Sequence, residues 1–91
     1  MDIKKEDYDQ ISKYFKVAFK IKERGNNFGV TQEVCNQLIS IEFDRVTPEV
    51  IQRHYHNMIW SKIITVGSTG VKANPNLEKR FSDFEENKNI I

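Results

Sequence analysis

A chain of 91 residues with 14 Lys and Arg against 13 Asp and Glu, 38% hydrophobic and 30% charged, has the make-up of one ordinary folded domain with a modest core. That composition argues against a second domain and against a disordered chain, and a formal charge of +1 is too small for binding nucleic acid by bulk charge. No apolar run approaches the roughly 20 residues of a membrane span, and none follows the charged start MDIKKEDYDQ, so neither a signal peptide nor a spanning segment is expected and the cytoplasm is the expected compartment.

From about Lys4 to Arg24, Tyr8, Ile11, Tyr14, Phe15, Ala18, Phe19 and Ile21 recur at helical spacing, with Lys13, Lys16 and Lys20 on the opposite face. This predicts a first helix over 8–24, stopped by Gly25-Asn26-Asn27, residues that tolerate positive φ. Thr31 is placed to cap a second helix over 31–40, with Gln32 and Glu33 in its first turn and Val34, Cys35, Leu38 and Ile39 as its inner stripe. Between Ser40 and Val46, Ile41 and Phe43 alternate with polar residues and no Gly or Pro ends the helix. Loop, helix extension and short strand all remain open there.

Thr47-Pro48-Glu49 is the sharpest boundary in the chain: a hydroxyl to cap, proline where no donor is lost, and an acid near the positive end of the helix dipole. The helix it opens spans 47–61. At about 100° per residue, Ile51, Tyr55, Met58 and Ile59 share its inner side, while Glu49, Arg53, His56, Asn57 and Trp60 share the outer one. Ile63 to Val66 and Val71 to Ala73 then read as strands around the turn Gly67-Ser68-Thr69-Gly70, within a hairpin over 62–74. Asn74-Pro75 begins a last helix over 75–87, whose Leu77, Phe81 and Phe84 fall at i, i+4 and i+7. The predicted fold class is α+β and mostly helical: three helices, a β-hairpin and a short C-terminal helix in one domain.

Over roughly residues 8 to 75, this order resembles a winged helix-turn-helix domain. "VTQEVCNQL" corresponds to the first helix of the motif, "VTPEVIQRHYHNM" to the second and "IITVGSTGVKA" to the wing. The resemblance implies that the second helix enters the DNA major groove and that the hairpin touches backbone or minor groove. Carried over by position, Arg53, His56 and Asn57 would face base edges and Thr47 and Gln52 would lie near phosphate. Ser68, Thr69 and Lys72 would sit on the wing.

Independently of the family, Arg53 and Asn57 lie one helical turn apart and are the residue types that pair with guanine and adenine in the major groove. Lys62, Lys72, Ser68 and Thr69 are of the types that contact phosphate. Charge is distributed accordingly. From 45 to 80, Arg45, Arg53, Lys62, Lys72, Lys79 and Arg80 outnumber Glu49 and Glu78, whereas acids collect at 2–9, 33–44 and 83–86. A solvated face explains modest charge runs equally well.

His54 and His56 form no metal pair, because residues two apart on a helix point about 200° from each other. Cys35 lies among Val34, Leu38 and Ile39 as a small core residue and has no second cysteine to pair with. No nucleophile, phosphate-binding or paired-carboxylate motif is present, so neither an enzyme nor a cofactor is expected.

Trp60 either folds under the hairpin as core or marks a contact surface for DNA or protein. Leu77, Phe81 and Phe84 either pack back on the first helix or join two copies as a homodimer, the latter being the expectation. Two functions follow from these features. One is a sequence-specific double-stranded DNA-binding regulator acting by site occupancy, with Thr47, Gln52, Arg53, His56, Asn57, Trp60, Ser68, Thr69 and Lys72 at the DNA. The other is a protein-interaction module that docks the same scaffold on a partner.

Overall fold

The computed structural model describes residues 2–25 and 28–91. Four helices and a small antiparallel hairpin give an α+β fold in which helix predominates, the class read from the sequence. A two-residue strand, β1 (Asp2–Ile3), precedes α1 (Lys5–Gly25), which buries Tyr14, Phe15, Val17, Ala18 and Ile21. Glu6 and Asp7 in its first turn and Lys22 and Arg24 in its last complement the helix dipole. Gly25 is its last residue, and Asn26 and Asn27 of the expected stop lie outside the described residues.

The open stretch from Ser40 to Val46 proves to be helix as far as Glu42 and turn beyond it. α2 (Gln32–Glu42) starts at Thr31, whose hydroxyl accepts from the Val34 N–H at 3.2 Å, and runs on until the Phe43 N–H bonds to the Ile39 carbonyl at 2.9 Å. Glu42, its last residue, is held against α1 by Lys20 at 3.0 Å. The chain then turns at Arg45 (φ 58°) into α3 (Pro48–Trp60), where the Thr47 hydroxyl accepts from the Val50 N–H at 3.3 Å. The cap and the N-terminal proline act as the sequence requires.

The end of α3 has a definite geometry. Lys62 adopts φ 60°, its N–H bonds to the Ile59 carbonyl, and the Ile63 N–H bonds to the Met58 carbonyl, each at 3.0 Å. This is the paired closure in which glycine usually occupies the left-handed position, and the buried Ile63 and Met58 supply its apolar contact.

β2 (Ile64–Gly67) and β3 (Gly70–Ala73) pair antiparallel, with Gly67 opposite Gly70 and Ser68-Thr69 at the tip. Val30 bridges to Val71 on the far side of β3, its N–H and carbonyl bonding at 2.8 and 2.7 Å. Gly70 permits that approach: at φ +131°, a Cβ would stand 2.6 Å from the Val30 carbonyl oxygen.

α4 (Leu77–Asn87) begins two residues later than expected, because the Asn74 side chain accepts from the Asn76 N–H at 2.8 Å and keeps Pro75 in that turn. Of the two placements open to its apolar stripe, the structure has the first. Leu77 is fully buried, Phe81 lies 5.1 Å from Phe15 and 5.7 Å from Phe19, and Phe84 lies 5.5 Å from both Tyr8 and Phe15, measured between ring centroids. β4 (Asn89–Ile90) closes the chain by pairing parallel with β1. Ile21, Leu38, Ile39, Met58, Ile64, Val71 and Leu77 form the center of the core, where α1, α2, α3, α4 and the hairpin converge.

Candidate nucleic-acid interface

Inside α3, Tyr55 and Met58 are buried as expected, and so is His54, whose burial the expected inner stripe does not include. On a helical wheel His54 falls about 40° from Met58, so the inward position was legible. The imidazole stacks on Phe43 at 4.0 Å between centroids and meets the edge of Tyr14 at 5.4 Å. The Tyr14 oxygen accepts from Gln10 at 2.8 Å and Asn57 at 3.2 Å and lies 2.6 Å from His54 Nδ1. With two donors already on that oxygen, the hydroxyl proton is directed to Nδ1, leaving the imidazole neutral with its proton on Nε2. Burial, followed by the charges of Arg53 and Lys13, lowers the His54 pKa and favors the same neutral form. Burial likewise raises that of Tyr14. This knot fixes the rotation of α3 about its axis against α1.

With that rotation fixed, Glu49, Arg53, His56 and Trp60 form the outward stripe, and all four are exposed. Trp60 is 85% exposed, which rules out, of the two placements open to it, core beneath the hairpin. The other α3 candidates lie on the flanks. Half-buried Asn57 turns toward Tyr14, and half-buried Gln52 turns toward α2, where it accepts from Gln32 at 3.5 Å. Thr47 is exposed, with its hydroxyl engaged in the helix cap. The structure therefore unites Arg53, His56 and Trp60 but not Asn57, whose amide is drawn into the α1 contact.

Positive charge brackets the stripe. Arg45 and Lys62 stand at the two ends of α3, both with positive φ, and Lys13 lies 5.2 Å from the center of the Phe43 ring. Glu49, in the first turn, is the opposing charge on the outer face. On the hairpin, Ser68 and Thr69 are exposed at the tip. Lys72 is set back and half-buried, its stem so near Gly29 that a Cβ there would meet the lysine Cγ at 2.8 Å.

Cys35 is buried, and desolvation raises its thiol to about 11, so it contributes packing rather than a reactive thiolate. Among the described residues no cluster of three or more His, Cys, Asp or Glu could hold a metal ion, and no helix is long and apolar enough to cross a membrane. The chain matches no protein-family model, and no curated protein or solved structure matches it.

Proposed function

We propose that the chain is a sequence-specific double-stranded DNA-binding protein of winged helix-turn-helix form. In this reading α3 enters the major groove, the β2–β3 hairpin serves as the wing, and the protein regulates by occupying its site. The observation that carries the reading is the exposed Arg53–His56 stripe on a helix whose inner face is tied down by His54, Tyr55 and Met58. A helix held in a fixed rotation with a free polar face suits groove readout, because the geometry of the reader is set before it binds.

Two further features support it. The element order α1, Val30 edge, α2, α3, β2, β3 is the one expected of such a domain, with β3 lying between Val30 and β2. Five residues separate Glu42 from Pro48, so α2 and α3 follow each other closely as a helix pair. Arg53 is then the principal base reader, with His56 beside it, and Arg45, Lys62, Ser68, Thr69 and Lys72 are phosphate contacts. Asn57 positions α3 through Tyr14 and has a secondary role at the DNA.

Titration of a random-sequence duplex across salt concentrations tests this. With the three cations Arg45, Lys62 and Lys72 on phosphate, affinity should fall by roughly 40-fold between about 50 and 200 mM salt. Failure to bind duplex even at the lowest salt would overturn the reading.

A further inference from the structure

A cavity of about 820 Å³ forms a groove between α1, the C-terminal end of α3, and α4. Ile11, Phe15 and Phe84 form its apolar floor, Trp60 stands at its lip, and Arg80 and Asp83 occupy its α4 wall. This patch combines features that complement one another. It carries a large aromatic side chain that is 85% exposed and a cavity with an apolar floor beside it. It also carries one cation and one anion three residues apart on an exposed helix edge.

A two-fold axis makes every feature of a surface meet its own complement, so an interface of that kind needs a knob, a hole and paired opposite charges within a single patch. The geometry points to a second copy of this chain as the occupant: Trp60 of each protomer inserts into the groove of the other, and Arg80 and Asp83 of facing α4 helices pair reciprocally. Arg80 already donates to the Ser61 carbonyl at 3.0 Å, which orients the guanidinium at the groove and leaves further N–H groups for a carboxylate. Of the α4 stripe, Leu77 and Phe81 are packed on α1 and do not line the groove, so the interface takes from it only the face of Phe84. Each Trp buries about 150–250 Å², so two of them supply only part of the 1,200 Å² or more that a stable interface buries. The dimer is accordingly a moderate one, responsive to protein concentration. This inference shares Trp60 with the outward stripe of α3 but uses neither Arg53 nor His56, so dimerization and duplex binding are measured separately.

Sedimentation equilibrium of the whole chain over a wide concentration range tests it, with tryptophan emission recorded in parallel. Trp60 is the chain's single tryptophan and so reports its own burial. The wild type should dimerize with a blue shift in emission. Trp60→Ala should weaken association roughly 10³-fold, since two symmetry-related hot spots of about 30-fold each are lost. Arg80→Asp and Asp83→Arg should each weaken association, and the double reversal should restore it. Trp60 is exposed, so at a concentration low enough to keep both proteins monomeric the thermal midpoint of the alanine variant should match wild type and show that the fold is intact. A protein monomeric throughout the range would overturn the proposal and leave the groove to another occupant. So would a dimer unchanged by Trp60→Ala, single charge reversals without effect, or a blue shift that appears only on adding duplex. Duplex binding by a monomer would preserve the DNA reading, whereas dimerization without duplex binding would preserve only this one.

Discussion

Replacing Lys62 with glycine should stabilize the protein while weakening its hold on DNA. Lys62 adopts φ 60° at the close of α3, a conformation that costs a residue bearing a Cβ about 1–2 kcal/mol. The bonds that define the closure do not use the Lys62 side chain: Lys62 N–H to Ile59, Ile63 N–H to Met58, and Asn74 Nδ2 to the Lys62 carbonyl at 2.6 Å. Glycine keeps all three and removes the Cβ, while the greater freedom it gives the unfolded chain returns part of the gain. A net stabilization of about 1 kcal/mol remains, raising the thermal midpoint of a domain this size by roughly 4–8 °C. Lys62→Ala separates strain from charge. It retains the Cβ and should melt near wild type, yet it loses the ammonium and should weaken duplex binding as much as Lys62→Gly. In both variants the slope of log affinity against log salt should become shallower by about 0.9, the value for one phosphate contact. Urea unfolding followed by circular dichroism supplies the stabilities and fluorescence anisotropy the affinities. Lys62→Gly melting below wild type would refute the strain argument, and an unchanged salt slope would remove Lys62 from the DNA contact.

Gly70→Ala should destabilize the protein by about 2 kcal/mol or more, because the new Cβ would meet the Val30 carbonyl at 2.6 Å in a positive-φ position; amide exchange at Val30 and Val71 should accelerate with it. Tyr14→Phe should cost about 1–3 kcal/mol in urea unfolding, since it leaves the buried His54 Nδ1 without a donor, and a loss below 0.5 kcal/mol would show that water repairs the site. The depressed pKa of His54 also sets a pH dependence. The unfolded chain takes up this proton near 6.5 and the folded chain only at lower pH, so stability is fully present above 6.5 and declines as pH falls from 6.5 through the folded value. The urea midpoint should follow that course in wild type and become flatter over the same window in His54→Gln.

What the sequence made legible is mostly local. Thr31 and Thr47-Pro48 mark helix starts because a cap is satisfied within three residues, and both caps form at those residues. The apolar stripes of α1 and α3 and the Gly67–Gly70 turn are equally short-range, and all appear. What escaped depends on contacts distant in sequence. Pairing of β1 with β4 joins the two ends of the described chain through two residues each, too few to leave a periodic signal. The Val30–Val71 bridge leaves a trace only in Gly29 and Gly70, both with positive φ. Asn57 shows why a wheel alone misassigns the candidate site: its position borders the outer stripe, and the Tyr14 hydroxyl, 43 residues earlier, draws it inward. Trp60 could not be placed from sequence, because its exposure depends on where the hairpin leaves the end of α3.

The most direct test of base reading by α3 is a binding profile over every single-base variant of a duplex selected from random sequence, measured for wild type, Arg53→Ala and Lys72→Ala. The account predicts that Arg53→Ala erases discrimination at one base position, worth about 1–3 kcal/mol there, while Lys72→Ala weakens every sequence by a similar factor. Uniform losses from Arg53→Ala, with the base preferences of the wild type intact, would contradict it.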